Sequence, residues 1–248
     1  MIHETAAAGF EAGSGAYVRG RPSYPPEALE LLAGELGIGP GTTVIDVGAG
    51  TGKWTALLAT TGARVVAVEP VEGMRTELSN VAPGVEVLDG TAEAVPVADG
   101  FADAVTVAQA FHWFNYEEAL AELARVLRPG GGLALLWNRR DESVEWVARM
   151  SEILRWHEFD KADYDQIDWA GVIAASGRFG DVSHAVLRYE QRLDRAGLAD
   201  RVRSVSYVAA MGEAERERLV GEILELVAGF DDAFVLPYRT LLWWCTRS

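Results

Sequence analysis

The hydrophobic pattern of the first 140 residues alternates between two periods. Short runs of consecutive apolar residues are typical of strands buried on both faces, and between them apolar positions recur at helical spacing. The predicted strands are 43–47, 64–69, 85–88, 103–108 and 132–137. The predicted helices are 25–36, 52–60, 71–80 and 116–127. This alternation predicts an α/β fold, a doubly wound parallel sheet whose strand carboxyl ends share one edge.

The C-terminal part of the chain follows a different pattern. Residues 141–157 and 213–227 have helical spacing, and Asp194 is placed to cap another helix. Residues 161–175 are mixed and predict a short helix or a lid. Two further strands are predicted, at 182–190 and 234–245. With no repeat and no clear linker, the pattern favours one domain with a C-terminal elaboration.

Residues 44–52, V-I-D-V-G-A-G-T-G, carry the candidate chemistry. An apolar strand with an acid near its end runs into a glycine turn that opens a helix, which is typical of nucleoside-like cofactor sites. Lys53 stands where the third glycine of a dinucleotide motif belongs, and Asp46 would repel a pyrophosphate. The pattern therefore favours a phosphate-free cofactor with cationic groups. The alternatives are an NAD-dependent oxidoreductase and a tight turn without a ligand.

Composition narrows the functional classes further. The formal charge of −15 disfavours binding to nucleic acid, because such a surface repels the phosphate backbone. No apolar run is long enough to cross a bilayer, and the N-terminus lacks the pattern of a signal peptide. The single cysteine, Cys245, cannot form an intramolecular disulfide or a cysteine metal cluster. We therefore expect a cytoplasmic protein without a metal, as a monomer or a homo-oligomer.

The chain resembles the class I S-adenosylmethionine-dependent methyltransferases in four motifs that follow the family order. They are V-I-D-V-G-A-G-T-G, A-V-E-P, D-G-T-A-E-A-V-P and L-A-R-V-L-R-P-G-G-G-L. Four more are similar to a microbial subgroup of small-molecule methyltransferases, which includes trans-aconitate methyltransferase-like and natural-product tailoring enzymes. These are Y-V-R-G-R-P-S-Y-P, A-Q-A-F-H-W-F, L-L-W-N-R-R-D and L-P-Y-R-T. Two positions depart from the family pattern: Thr91, where many relatives have Asp, and F-A-D, where S-F-D is usual.

The resemblance implies a Rossmann-like, mostly parallel seven-stranded sheet with an antiparallel C-terminal strand and a helical lid. It divides the chain into an N-terminal lid (1–24), a cofactor-binding core (42–138), a helical substrate lid (139–180) and C-terminal strands and helices (181–248). The implied reaction is methyl transfer from S-adenosylmethionine to a small molecule in specialised metabolism. A member that binds the cofactor without transferring methyl is a further alternative.

The resemblance also implies the site residues. The expected cofactor-binding residues are Tyr17, Arg21, Asp46, Gly48, Ala49, Gly50, Thr51, Gly52, Glu69, Pro70, Met74, Thr91, Ala92, Gln109 and Ala110. Glu69 is expected to accept hydrogen bonds from both ribose hydroxyls; otherwise it is a solvent-facing acid. Asp46 either serves the cofactor directly, caps the next helix or braces the loop. Thr91 and Ala92 would contact adenine, or Thr91 would cap a helix, and Met74 would pack on adenine or in the core.

His112 and Tyr24 are the expected catalytic residues. His112 would take a proton from the acceptor, or would only shape the pocket. Tyr24 would face the acceptor, and Arg21 or Tyr17 would bind the methionine carboxylate, unless this segment is a solvated arm. The aromatic residues of the predicted lid favour a semi-polar or aromatic acceptor over a small tricarboxylate.

Overall fold

Seven strands form one sheet in the computed structural model, which describes residues 20–155 and 167–248. The strands are β1 (Thr43–Val47), β2 (Arg64–Val68), β3 (Glu86–Leu88), β4 (Ala102–Ala108), β5 (Leu127–Arg140), β6 (Ser183–Leu193) and β7 (Phe234–Thr246). The helices of the described residues are α1 (Pro26–Leu36), α2 (Lys53–Ala59), α3 (Glu72–Val81), α4 (Tyr116–Val126), α5 (Glu145–Ile153), α6 (Trp169–Ala175), α7 (Arg195–Arg203), α8 (Ser206–Ala209) and α9 (Glu213–Glu225). A 3-10 turn spans Phe111–Trp113.

The strand order is β3-β2-β1-β4-β5-β7-β6. The first five strands of this order are parallel, and β7 pairs antiparallel with both β5 and β6. The predicted doubly wound sheet with an antiparallel C-terminal strand is thus confirmed. The order reverses between β1 and β4, and open α/β sheets bind ligands in the crevice at such a reversal.

The sheet separates two apolar layers. Ile45 and Val47 of β1 belong to a cluster that includes side chains of α4 and α6. Val44 belongs to the cluster on the other face, with side chains of α1 and α2. Since successive strand residues point to opposite faces, Asp46 lies on the same face as Val44. A third cluster joins α5, α7, α9 and the start of β7.

Two predicted element starts lie about four or five residues from the observed ones. β5 begins at Leu127 instead of residue 132, because Leu127 already pairs with Ala102 across a bulge. α5 begins at Glu145 instead of residue 141, because Asp141 accepts hydrogen bonds from the backbone and hydroxyl of Ser143 and so fixes a turn. The cap predicted at Asp194 is present, since its carboxylate accepts the Gly197 N–H at 2.7 Å.

The described helices of the region expected to form a substrate lid pack into the cores instead. Trp169 of α6 is fully buried and stacks on Trp137 with a centroid separation of 4.7 Å. α5 contributes Val147 and Met150 to the third cluster. Residues 156–166 of this region, like 1–19 of the expected N-terminal lid, lie outside the described residues. In the part of the chain that the structure describes, no helix is long and apolar enough to cross a membrane.

Candidate active site

A cavity opens at the carboxyl edge of the parallel strands, where β1 lies between β2 and β4. Its volume, including the open mouth, is about 1290 Å³. The lining residues come from the loops after β1, β2, β3 and β4, from Asn138 within β5, from Arg21, Pro22 and Tyr24, and from the helices α2, α3 and α7.

The glycine loop after β1 forms the floor of the cavity. Gly48 has φ 68°, and a Cβ there would lie 2.7 Å from the Cβ of Ala110. Its N–H donates to the Val68 carbonyl at 2.8 Å, which holds the loop against the end of β2. Gly52 has φ 83°, and a Cβ there would meet Leu78 at 2.9 Å. Only glycine satisfies both the left-handed backbone and the close packing at these positions.

Glu69, directly after β2, is the buried acid of the cavity wall. Its carboxylate accepts the Gly50 N–H at 2.9 Å through Oε2 and the Val71 N–H at 3.0 Å through Oε1. Burial raises the pKa of this carboxyl group, while the two N–H donors and Arg75 partly offset the rise. Each carboxylate oxygen has a second lone pair, so Glu69 can brace the loop and still accept hydrogen bonds from a ligand.

Asp46 does not line the cavity. Its carboxylate is fully buried and accepts hydrogen bonds from the hydroxyls of Thr55 at 2.6 Å and Thr106 at 3.2 Å. Burial raises its pKa to about 7, against the lowering effect of the two hydroxyls. Of the roles considered from the sequence, the structure favours the bracing role, because Asp46 joins β1 to α2 and β4 behind the loop.

The segment after β3 lines the side of the cavity next to Glu69. Thr91 and Ala94 pair through their backbones in a tight turn, with N···O distances of 3.2 and 3.3 Å. The alternative that Thr91 caps a helix is wrong, because no helix follows it. Glu93 instead accepts the Asn115 N–H at 3.0 Å, at the start of α4. Met74 of α3 is buried and also reaches the cavity.

The ends of β4 and β5 are joined by side-chain amides. Gln109 has φ 59°, which is rare for a residue with a side chain and marks local strain. Its amide donates to the Asn138 carbonyl at 3.0 Å. The amide of Asn138 donates to the Ser23 carbonyl at 2.7 Å and accepts the Thr240 hydroxyl at 2.6 Å. This network fixes the backbone at the centre of the cavity.

His112 lies on the 3-10 turn and does not line the cavity. The indole N–H of Trp137 donates to Nδ1 of His112 at 3.2 Å, so the neutral ring carries its proton on Nε2. Burial of the ring, with Arg21 and Arg139 nearby, lowers its pKa to about 3. The geometry does not support the expected general base, because the only basic lone pair of the neutral ring already accepts a hydrogen bond.

Cations line the part of the cavity near residues 21–24. Arg21 donates to the Ser204 carbonyl at 3.1 Å, and Arg201 donates to the Ser204 hydroxyl at 3.3 Å. Lys53 is also on the wall, and burial together with the charge of Arg21 lowers its pKa. Tyr24 is buried against Trp54 in an edge-to-face contact, with centroids 5.2 Å apart.

Most of the residues predicted from the sequence meet in this one cavity. Those that line it are Arg21, Tyr24, Gly48, Ala49, Gly50, Thr51, Glu69, Pro70, Met74, Thr91, Ala92, Gln109 and Ala110. Asp46, Gly52 and His112 lie outside the lining, and Tyr17 lies outside the described residues. The sequence reasoning missed Asn138 and Arg201. Asn138 could have been found as a polar residue near the end of a parallel strand, whereas Arg201 has no such signal.

Among residues 20–155 and 167–248, no group of three or more His, Cys, Asp or Glu side chains could hold a metal ion. The polar groups that line the cavity include the carboxyl group of Glu69, the amides of Gln109 and Asn138, and the cations Arg21, Lys53 and Arg201.

Comparisons with known proteins agree on the kind of domain. A methyltransferase-domain family matches residues 45–135. An uncharacterised methyltransferase of Mycobacterium tuberculosis is 37% identical over 96% of this chain and 94% of its own length. A structure from Anaeromyxobacter dehalogenans, provisionally described as a type II methyltransferase, is 25% identical with a TM-score of 0.64 over 92% of this chain and 96% of that one. Geranyl diphosphate methyltransferase in complex with SAM shares the fold, at 15% identity and a TM-score of 0.51 over 90% of this chain and 85% of that one.

Proposed function

The chain belongs to the class I S-adenosylmethionine-dependent methyltransferase family, and from this premise we propose that its cavity holds S-adenosylmethionine beside a small-molecule acceptor. The observation that carries the proposal is the buried Glu69 carboxylate at the end of β2, on the cavity wall and joined to the glycine loop. The SAM complex of geranyl diphosphate methyltransferase, which has the same fold, supports the same cofactor.

The donors and acceptors of the cavity fit this cofactor. Glu69 can accept from the two ribose hydroxyls, since a carboxylate has two lone pairs on each oxygen. Met74 and Ala92 provide apolar surface for adenine. Arg21 and Lys53 provide positive charge for the methionine carboxylate. An acid at the end of β2 would also suit the ribose of a dinucleotide, whereas Lys53 in place of the third glycine of the dinucleotide motif disfavours that cofactor.

When bound, S-adenosylmethionine supplies a methyl group already activated on a sulfonium. The protein therefore has mainly to align the acceptor, and well-oriented groups reach effective molarities of about 10⁵ M or more. The amide network of Gln109 and Asn138 fixes the backbone where the two ligands would meet. His112, neutral and engaged with Trp137, would hold this wall in place and would not remove a proton.

Two measurements test the proposal. Calorimetry with S-adenosylmethionine, S-adenosylhomocysteine and NAD should show binding of the first two only. Incubation of a metabolite extract with methyl-labelled cofactor should then yield a labelled small molecule by mass spectrometry. Preference for NAD, or cofactor binding without transfer to any component of the extract, would contradict it.

A further inference from the structure

Arg201 is a buried cation without a counter-charge in the described structure. Only 5% of the residue is exposed, yet it lines the cavity. Its Nε donates to the Tyr238 hydroxyl at 2.9 Å and Nη1 donates to the Ser204 hydroxyl at 3.3 Å. Both partners are neutral, and within residues 20–155 and 167–248 no carboxylate forms an ion pair with Arg201. The neighbouring acid Asp200 lies 3.6 Å from Arg203 instead.

Burying a charge is unfavourable unless an opposite charge and hydrogen bonds compensate it. Tyr238 and Ser204 orient the guanidinium but do not neutralise it. The surroundings add positive charge, because Arg21 donates to the same residue, Ser204, at 3.1 Å. Burial and the charge of Arg201 also lower the pKa of Arg140 to about 10. This local field is positive although the whole chain has a formal charge of −15.

The position of Arg201 separates it from the expected cofactor contacts. Its partner Tyr238 belongs to β7, which lies beyond β5 in the sheet order, whereas Glu69 follows β2 on the opposite side of β1. Lys53 is close enough to Arg21 for the two charges to interact, and it lies at the start of α2, next to the glycine loop. Arg21 and Lys53 are thus placed for the cofactor carboxylate, and Arg201 lines the cavity next to Tyr238 of β7.

We propose that the acceptor is an anion, bearing a carboxylate or a phosphate, and that Arg201 binds that group. The identification of the bound anion as the methyl acceptor rests on the proposed function, but the anion site itself does not require a cofactor. The hydrogen bonds to Tyr238 and Ser204 use Nε and Nη1 of Arg201 and do not involve Nη2. Arg201 lines the cavity, and a guanidinium pairs well with either oxyanion. The sequence favoured a semi-polar or aromatic acceptor over a small tricarboxylate, and the proposal adds that the acceptor carries a negative charge.

A binding experiment tests the anion site alone. Citrate and inorganic phosphate are titrated into the full-length protein by calorimetry, with and without S-adenosylhomocysteine. We expect binding of at least one anion, weakened about tenfold or more in Arg201→Gln and less in Arg201→Lys, which keeps the charge. Arg188→Gln, on the exposed side of β6, should match the wild type. Failure of both anions to bind, or equal binding in Arg201→Gln, would overturn the site.

A second experiment tests the acceptor. The metabolite extract is passed over an anion exchanger before it is labelled with the methyl donor. We expect the methyl-accepting compound in the salt eluate, and loss of acceptance after phosphatase treatment would identify phosphate instead of carboxylate. Arg201→Gln should raise the KM for this fraction about tenfold or more while the Kd for S-adenosylhomocysteine changes less than twofold. An acceptor in the unretained fraction, or an unchanged KM, would overturn the proposal.

Two controls keep the results interpretable. The melting temperature and circular dichroism of each variant show whether it folds. If Arg201→Gln does not fold, Tyr238→Phe is used instead, because it removes one orienting hydrogen bond and leaves the charge of Arg201. Tyr238→Phe should weaken the binding of citrate or phosphate more than Arg188→Gln does, and by less than the tenfold expected for Arg201→Gln. If S-adenosylhomocysteine fails to bind while citrate or phosphate still binds through Arg201, the proposed function fails and the anion site stands.

Discussion

The two ends of the cavity are lined by different kinds of side chains. On the side of β1, β2 and β3, the wall includes the glycine loop, Lys53 at the start of α2, the side chain of Met74 and the buried carboxyl group of Glu69. On the side of β5 and β7, it includes Asn138 and Arg201, with Arg140 half-buried nearby. The buried acid on one side and the buried arginine on the other are the basis of the two proposals, which place S-adenosylmethionine beside Glu69 and an anionic acceptor beside Arg201.

The largest expected effect concerns Asp46, behind the acidic end. Its folded pKa of about 7 lies above the ordinary aspartate value of 3.8, so the folded state keeps a proton that the unfolded state releases. Stability should therefore fall as the pH rises from about 4 to about 7, by up to about 4 kcal/mol. Asp46→Asn should remove this decline, as measured by urea unfolding at several pH values. Asp231→Asn, at an exposed site, should keep the decline; a decline that survives in Asp46→Asn contradicts the prediction.

Glu69→Ala tests whether the acidic end serves the cofactor. The loss of charge-assisted hydrogen bonds, worth about 1.5–3 kcal/mol each, should weaken binding of S-adenosylhomocysteine about 10- to 150-fold in calorimetry. Binding of citrate or phosphate at the cationic end should be retained, which would separate the two ends. Glu72→Ala, exposed in the first turn of α3, is the matched control. Unchanged cofactor affinity in Glu69→Ala would remove the distinction between the ends.

Gly48→Ala tests the close packing of the floor. The new Cβ would lie 2.7 Å from the Cβ of Ala110 in a left-handed backbone, at a cost of about 1–2 kcal/mol for the conformation alone. Both the melting temperature and the cofactor affinity should fall. Gly34→Ala makes the same chemical change on α1, where nothing lies within 4 Å, and should stabilise the protein by about 1 kcal/mol. Equal effects of the two changes would show that the loop has room to adjust.

The smallest effect is expected at His112, between the two ends. With a pKa of about 3, the ring stays neutral from pH 5 to 9. The profile of kcat against pH should have the same shape in the wild type and in His112→Gln, with kcat reduced less than about tenfold. A general base would contribute about 10²- to 10⁴-fold. A loss of that size in kcat, together with the disappearance of an inflection from the profile of kcat against pH, would show that His112 acts as a general base.

The acidic end could be predicted from the sequence because its parts are local. The glycine loop and Glu69 each follow a short apolar strand, and parallel strands bring those two ends together. The role of Asp46 was harder to predict, since its position near a strand end suggested that its side chain contacts the ligand. The alternation of side chains along β1 puts it instead on the face of Val44, under α2. The charge of Asp46 was visible in the sequence, but the direction of its side chain depends on the packing.

The cationic end could not be predicted in the same way. Arg201 lies on α7, with no motif around it, and reaches the cavity because α7 packs on β7 and Tyr238 orients its guanidinium. The net charge of the sequence gave no indication of a cationic site, because the chain as a whole is acidic. The same limit applied to the extension of β5 to Leu127, which depends on a bulge against β4 and not on local propensity.

Ser204 joins two parts of the cationic end through its two oxygen atoms. Its carbonyl accepts a hydrogen bond from Arg21, in the segment just before α1, and its hydroxyl accepts one from Arg201 of α7. A mutation that moves this one residue would disturb both arginines together. In a diverging lineage, the preference for one acceptor and the position of Arg21 ahead of α1 would therefore tend to change together.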